Sequence, residues 1–250
     1  MDYPRLLTCL DADHTRLRQV AASILSPGTT GPRVPNCPEW TLDDLVYHVA
    51  MVYLHKAACM RLGRFPEWPP EETDEPTLDL FDRAYAEMTA EFAARKPDEH
   101  APTWYAPEQT VGFWIRRMAQ ETVIHRVDAE QAAGVPLAGI PDDLALDGAD
   151  EVLERFLAYG SKEEYSGSLP ATDRPPVLVR AGERGWLVRA KPDGGVVEPA
   201  AADAPAPATI SGAPVPMLLW LWRRAEGGVV HAGDASLIEQ LRTLLGIATQ

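Results

Sequence analysis

A glutamate and two histidines occupy core-facing positions of two predicted helices. Glu121 and His125 lie four residues apart, in line with the apolar positions of the stretch 110–133. His48 falls in the same way among the apolar positions of the stretch 41–62. A buried carboxylate is costly unless something compensates its charge, and two imidazoles with a carboxylate on facing helices form a common divalent-metal site. Such a set leaves a coordination position open, as catalytic zinc sites do.

The spacing alone leaves other interpretations open. Glu121 and His125 could simply hydrogen-bond each other, because residues four apart are neighbours on a helix. His14 and His55 also lie near inward faces and could replace a ligand, although a satisfied polar position or a pocket wall is favoured for both. Asp128 follows His125 by three residues, where it could orient the imidazole or be a solvated charge at the helix end.

The cysteines and the aromatic residues of the loops are interpreted as structural residues. Cys37 precedes a proline in a loop, and we interpret it as a small buried hydrophobe. The odd number of cysteines and the absence of a CxxC pair indicate free thiols at Cys9, Cys37 and Cys59. Trp68, Trp104 and Tyr105 lie in long loops and are interpreted as packing residues. A glycine-rich phosphate loop, a GxSxG elbow and an HExxH motif are all missing from the sequence.

Composition restricts the partners of the chain. The 250 residues are 46% hydrophobic, which suffices for one large domain or two ordinary ones, and we expect two. The formal net charge of −14 disfavours nucleic acid and anionic membrane surfaces. The N-terminal residues do not resemble a signal peptide, and the longest apolar run, MLLWLW, is too short for a membrane span. We therefore expect a cytoplasmic monomer or weak homodimer.

The first half of the chain has the periodicity of four helices joined by loops, which predicts a bundle. Thr41 and Asp44 form the pattern of a capping box at the start of the second helix, while Gly134 and Pro136 mark the end of the fourth. The predicted helices span 3–25, 41–62, 77–96 and 110–133. The loop SPGTTGPRVPNCP separates the first two.

The second half of the chain predicts an α+β domain. A helix at about 149–159 precedes PPVLVRA, GWLVRA and GGVVEP, which have the composition of antiparallel strands. ATISG and VVHAG are further predicted strands, each followed by a predicted helix, VPMLLWLWRRA and DASLIEQLRTLLG. We place the boundary between two domains, 1–140 and 141–250, where this change of character occurs.

Three segments together resemble the mycothiol-dependent maleylpyruvate isomerase family over nearly the whole chain. VPNCPEWTLDDLVYHVA is similar to the family signature V-P-x-C-P-x-W-T-x-x-D-L-x-x-H, whose histidine falls on His48. ETVIHRVDAEQAAG is similar to E-x-x-x-H-R-x-D-A-E, whose acid and histidine fall on Glu121 and His125. ATISGAPVPMLLWLWRRAEGG, followed by GDASLIEQLRTLL, resembles the C-terminal domain of the family.

The resemblance implies an N-terminal DinB-like four-helix bundle and a small C-terminal α+β domain related in shape to sterol-carrier proteins. It also implies that His48, Glu121 and His125 bind a divalent metal, usually zinc. In the family, an arginine after the tryptophan-rich helix completes the active-site cleft. Arg224 matches that position best, although Arg223 stands next to it.

The resemblance further implies a mycothiol-dependent isomerase or thiol S-transferase. In this hypothesis a metal-bound thiolate attacks a small electrophile such as maleylpyruvate, and Arg224 binds a substrate carboxylate or the developing enolate. One alternative is a hydrolase that uses metal-bound water and turns over without thiol. Another is a non-enzymatic binding protein that the metal stabilises, which would lose stability when the metal is removed and would show no turnover with any thiol or electrophile.

Overall fold

The computed structural model describes residues 1–26, 28–160, 170 and 172–249. The chain forms two compact units, Met1–Gly139 and Ile140–Gln250. The first is helical and the second contains a β-sheet flanked by helices. The predicted fold class, a helical region followed by an α+β region, is therefore confirmed.

The first unit is built from the predicted helices. α1 packs along α4, and α2 packs against both α3 and α4. The apolar faces of the four helices supply most of the buried core of this unit. The first and third helices end two or three residues earlier than predicted. The bounds are α1 Tyr3–Ala22, α2 Leu42–Leu62, α3 Thr77–Ala94 and α4 Val111–Ala133.

Local capping fixes the register of α2 and α4. The Thr41 hydroxyl accepts a hydrogen bond from the Asp44 amide, and the Asp44 carboxylate accepts one from the Thr41 amide, which confirms the capping box. Gly134 ends α4 with φ +66, a backbone conformation that residues with a Cβ rarely adopt. Because α2 starts at a fixed residue, the direction in which each of its side chains points is fixed as well.

A short hairpin lies where the sequence predicts only a loop. β1 (Arg33–Val34) pairs antiparallel with β2 (Cys37–Thr41), and β2 runs directly into α2. The segment contains several prolines and has no alternation of apolar and polar residues, so its sequence carries no strand signal. The hairpin forms through tertiary context, and it places Trp40 beside the first turns of α2.

The second unit begins with a longer helix than predicted. α5 (Asp142–Asp150) continues into a π-helical segment, π1 (Glu151–Tyr159), so the predicted start at 149 is wrong by seven residues. Pro141 immediately precedes the helix. The negative charges of two aspartates in the first turn interact favourably with the positive end of the helix dipole. The sequence did not predict this start because aspartate and glycine, which are frequent in the segment DDLALDGAD, are poor helix formers away from helix ends.

The five-stranded sheet of the second unit has the order β5-β4-β3-β6-β7. The prediction of antiparallel strands for β3, β4 and β5 is confirmed. No direction was predicted for β6, which runs parallel to β3, with Val177 opposite Ala208. Alternation within a strand does not encode the direction of its neighbour, which the return of the chain after β5 decides. The strands are β3 Val177–Ala181, β4 Arg184–Lys191, β5 Gly194–Ala200, β6 Ala208–Gly212 and β7 Val229–Gly233.

Two helices complete this unit. α6 (Pro214–Leu221) joins β6 to β7, and α7 (Ala235–Ala248) follows β7. α6 ends before the two arginines that were predicted as part of the helix, and Arg223 has φ +62. None of the described helices has both the length and the apolar character of a membrane span. The three cysteines form no disulfide.

Candidate metal centre

The structure brings His48, Glu121 and His125 together between α2 and α4. Glu121 Oε1 lies 3.5 Å from His48 Nε2 and 3.2 Å from His125 Nε2. The potential ligand atoms of all three residues lie within 4.8 Å of one another. One carboxylate oxygen thus faces two imidazole nitrogens that come from two different helices.

Asp128 orients the imidazole of His125. The His125 Nδ1 donates to Asp128 Oδ2 over 3.1 Å, and Asp128 is fully buried. The Asn36 side-chain amide donates to the other carboxylate oxygen of Asp128 over 3.2 Å. Because an ionised carboxylate can only accept, this contact puts a proton on Nδ1 and leaves Nε2 of a neutral imidazole as an acceptor. Of the two sequence interpretations of Asp128, the structure therefore shows the orienting contact.

With a neutral His125, the centre contains two hydrogen-bond acceptors that face each other, so a proton or a metal ion must lie between them. Glu121 Oε1 and the Nε2 atom of a neutral His125 both carry lone pairs directed at the same space. Burial by itself raises the pKa of Glu121, but Arg117, His125 and His48 outweigh it and hold that pKa well below its usual range. Burial lowers the pKa of His125, while Glu121 and Asp128 together raise it to about 9.

The donor set fits a divalent metal. Ligands bound to zinc at about 2.0–2.1 Å in a tetrahedral arrangement lie roughly 3.3 Å from one another. The two distances from Glu121 Oε1, 3.5 and 3.2 Å, are close to that separation. Two neutral imidazoles and one carboxylate are also the ligand types that zinc takes at catalytic sites.

Sequence reasoning did not assign two neighbours of this centre. Trp40 packs on the His48 ring with 4.6 Å between ring centroids, and the Arg117 guanidinium donates to Glu121. The spacing of four between Arg117 and Glu121 was a visible signal, because oppositely charged residues at that spacing pair on a helix. The tryptophan of the signature V-P-x-C-P-x-W-T was the available signal for Trp40, but its contact with His48 depends on the hairpin that carries it.

The predicted loop aromatics divide into two groups. Trp104 and Tyr105 pack on Phe113, in agreement with the prediction. Trp68 instead lies beside the candidate centre, with its ring edge-on to that of His48 at 6.0 Å, and half of its surface is exposed. The packing interpretation of Trp68 therefore misses its position at the centre.

The two other buried histidines do not join the centre. His14 stacks on the Tyr85 ring at 3.6 Å, and the Nε2 of His55 faces the carbonyl of Pro66 at 3.3 Å. Burial lowers the pKa of each imidazole to about 4. Both side chains are therefore neutral at pH 7. Cys37 is partly exposed in β2, so its interpretation as a buried hydrophobe is wrong.

The two candidate arginines lie in the second unit with different environments. Arg223 is exposed and adopts the left-handed backbone conformation. Arg224 is buried, and its guanidinium donates to the carbonyl of Trp222 over 2.8 Å. The structure thus distinguishes an exposed arginine from a buried one, which the sequence could not.

Both halves of the chain match models of known protein domains. A model of the mycothiol maleylpyruvate isomerase N-terminal domain matches residues 10–130, and a model of the C-terminal domain of the same enzyme matches residues 143–240. No curated protein matched the sequence.

Solved structures show the same fold. A crystal structure of the mycothiol-dependent maleylpyruvate isomerase is 15% identical, with a TM-score of 0.62 and coverage of 94% of this chain and 95% of the other. A histidine-to-alanine mutant of that enzyme gives the same identity and coverage, with a TM-score of 0.63. The two domain models and this shared fold together show that the chain belongs to the mycothiol-dependent maleylpyruvate isomerase family of enzymes.

Proposed function

We propose that this protein is a mycothiol-dependent isomerase or thiol S-transferase that acts on a small electrophile resembling maleylpyruvate. Its metal would be a divalent ion, with zinc expected, held by His48, Glu121 and His125. The observation that carries the proposal is the convergence of one carboxylate oxygen and two imidazole nitrogens within 4.8 Å. Membership of the family supports a thiol cosubstrate and a small substrate resembling maleylpyruvate.

A divalent metal at this centre would lower the pKa of a coordinated thiol and so provide thiolate at neutral pH. The residues of the chain prepare the site for it. Asp128 holds the proton on Nδ1 of His125 and keeps Nε2 directed at Glu121. Arg117 fixes the carboxylate of Glu121, while the rings of Trp40 and Trp68 shield the His48 imidazole.

The proposed chemistry needs no oxidant or reductant. In isomerisation, the thiolate adds to a conjugated double bond, the resulting single bond rotates, and the C–S bond breaks to return the thiolate. In S-transfer, the thiolate forms a C–S bond while a leaving group departs with the electron pair. Both reactions use the same nucleophile, which is why the centre supports either one.

Arg224 is our proposed ligand for a substrate carboxylate or for the developing enolate. A guanidinium binds planar oxygen pairs with two parallel donors, and its charge persists at any physiological pH. Arg224 belongs to the proposed domain 141–250, whereas the metal ligands belong to 1–140. Comparing Arg224→Lys with Arg223→Lys tests the assignment, since only the former should lower turnover.

We also propose the partners, the cellular location and the oligomeric state of the protein. A net charge of −14 supports small-molecule partners rather than nucleic acid or an anionic membrane. We propose a cytoplasmic location and a monomer or weak homodimer. Neither a hydrolase nor a purely structural metalloprotein is favoured, because the family model is named for a thiol-dependent isomerase.

Elemental analysis tests the proposal directly. Wild type purified without a histidine tag should contain about one zinc per chain and consume maleylpyruvate only when mycothiol is present, and His125→Ala should lose both properties. Zinc without thiol-dependent turnover would retain the centre and reject the proposed reaction. Absence of metal even after zinc is added would reject the centre and leave Glu121 and His125 as a buried hydrogen-bonded pair.

A further inference from the structure

Lys56 places a positive charge beside Trp68, the side chain that also lies against His48 of the candidate metal centre. It follows His48 by eight residues on α2, which corresponds to about 12 Å along the helix axis. Its Nζ lies 5.4 Å from the centre of the Trp68 ring and 5.0 Å from that of the Trp114 ring. The ammonium is therefore held between two aromatic side chains.

The Lys56 ammonium has N–H groups that are not used in hydrogen bonds to the described residues. Nζ donates to Nδ1 of His55 over 3.0 Å, which uses one of its three N–H groups. Within the described part of the chain, no carboxylate lies within 4.0 Å of Nζ. Burial lowers the pKa of Lys56 to about 8, so the side chain remains mostly charged at pH 7. A partly buried cation without a counter-ion is costly, which points to an anion that arrives from outside the chain.

Trp68 connects Lys56 with the metal centre. Its ring contacts the imidazole of His48 at 6.0 Å and that of His55 at 5.3 Å, both edge-on. The negative charge of Glu121 favours the charged form of Lys56, while the positive charge of Arg117 opposes it. Because half of Trp68 is exposed, the wall that it forms is accessible from solvent.

We propose that Lys56, framed by Trp68 and Trp114, binds a carboxylate of the substrate while the reacting carbon lies at the centre formed by His48, Glu121 and His125. This inference rests on the proposed function and adds a requirement to it, namely that the unsaturated substrate carries a free carboxylate, which Lys56 binds. The half-exposed Trp68 ring provides an apolar surface for the planar part of such a molecule, while the Trp114 ring is fully buried and only packs against the lysine. The two remaining N–H groups of Lys56 bind the charged end of the molecule.

Lys56→Met tests the proposal, because methionine keeps the length of the side chain and removes its charge. The assay measures kcat/KM with mycothiol for anionic maleylpyruvate and for the neutral diester dimethyl maleate. We expect at least a 30-fold loss for maleylpyruvate, mainly through KM, and less than a threefold change for the diester. Lys96→Met removes an exposed lysine of the same unit and should change neither value.

Calorimetric titration of the zinc-loaded protein with maleate, without thiol, gives a readout that is independent of turnover. We expect Lys56→Met to weaken maleate binding at least tenfold and Lys96→Met to leave it unchanged. Equal losses for the acid and the diester would overturn the proposal, and so would an unchanged affinity for maleate. If Lys56→Met fails to fold, Lys56→Gln serves in its place.

The maleate titration can reject the role of Lys56 independently of the proposed thiol-dependent reaction. If the wild type turns over neither substrate, the thiol-dependent reaction is rejected, and maleate binding alone decides the role of Lys56. Binding that depends on Lys56 would then retain the anion site. Binding that is absent, or that is the same in Lys56→Met, would overturn it.

Discussion

Two clusters of buried charge lie on the same helix, α4, and they are built in opposite ways. Arg126 donates to Asp13 over 2.9 Å and to Glu130 over 2.7 Å, and Glu130 also accepts from Arg16 over 2.7 Å. In that cluster donors face acceptors, although Nη2 of Arg126 has no hydrogen-bond partner among the described residues. At the next residue, His125, a carboxylate and imidazole nitrogens face one another around a common point.

The difference separates a structural cluster from a candidate site. Buried charges that meet matched partners stabilise one conformation and leave little for a ligand to satisfy. At the candidate centre, a proton or a metal must lie between Glu121 and His125. Protonated His125 supplies it without metal, and a divalent metal would replace that proton. Burial is therefore a poor guide to function on α4, and the balance of donors and acceptors is the better one.

Glu121→Gln should produce the largest change. An amide keeps the size of the side chain but removes the charge that a divalent metal requires, so we expect zinc affinity to fall more than 100-fold and turnover to disappear. Competition with a chromophoric chelator measures the affinity. Because the substitution also removes the carboxylate that pairs with Arg117 and with protonated His125, the metal-free variant should melt below metal-free wild type. A variant that retained zinc would show that the two clusters do not differ in this way.

Arg126→Met should have the converse effect. The substitution leaves Asp13 and Glu130 buried without their donor, and we expect a loss of about 3–5 kcal/mol in the free energy of unfolding by urea. The zinc content of the folded fraction should remain that of wild type. Arg16→Met is the matched control, since Arg16 is partly exposed and its loss should cost about 1 kcal/mol or less. Zinc loss in Arg126→Met would mean that the clusters are coupled.

Asp128→Asn tests the orienting contact. Asparagine keeps the shape but weakens the hold on the Nδ1 proton of His125, and residues that orient metal ligands typically change affinity by about 10–100-fold. Zinc affinity should fall within that range with little change in the melting temperature. Gln131→Ala removes another partner of Asn36 and serves as the control, which should bind zinc almost normally. An unchanged affinity in Asp128→Asn would leave Asp128 with a structural role only.

His14→Phe should give the smallest effect, confined to acid pH. Burial lowers the pKa of His14 to about 4, below its unfolded value, so the neutral imidazole stabilises the fold above pH 6.5 and this contribution is lost as the pH falls towards 4. Between pH 7.5 and pH 5 we expect wild type to lose about 2 kcal/mol from this residue. Phenylalanine keeps the stacking on Tyr85 and should remove that loss.

Urea unfolding at pH 7.5 and pH 5 measures the effect. Burial raises the pKa of Asp13 to about 6, which works in the opposite direction over the same range, so the comparison of variant with wild type is the informative quantity. The contribution of Asp13 is common to both proteins. Equal pH dependence of the two would contradict a neutral, buried His14.

Several features of the site could be read from the sequence because they are local. The four helices of the first unit follow from apolar periodicity, and the capping box at Thr41 fixes the register of α2. With that register known, the inward position of His48 follows. Glu121 and His125 likewise follow from the stripe on α4. The pairing of Asp128 with His125 remained one of two alternatives, because spacing permits a contact without requiring it.

Features that depend on distant segments were missed. The hairpin that carries Trp40 has no strand signal, and the loop that carries Trp68 has no regular structure to predict its position. The parallel pairing of β3 with β6 depends on how the chain returns after β5. The ammonium of Lys56 between two tryptophans depends on both α4 and the loop after α2.

The sequence by itself determined which residues face inward, since side-chain direction is set by helix periodicity and by the caps at helix ends. It also determined the family, since the two signature segments name the ligand candidates. Only the tertiary structure decided that the Nε2 atoms of His48 and His125 meet a single oxygen of Glu121. It also decided that Lys56 lies beside Trp68 with no carboxylate of the described residues within 4.0 Å. Both depend on distances between helices that packing fixes, and no local sequence pattern encodes such distances.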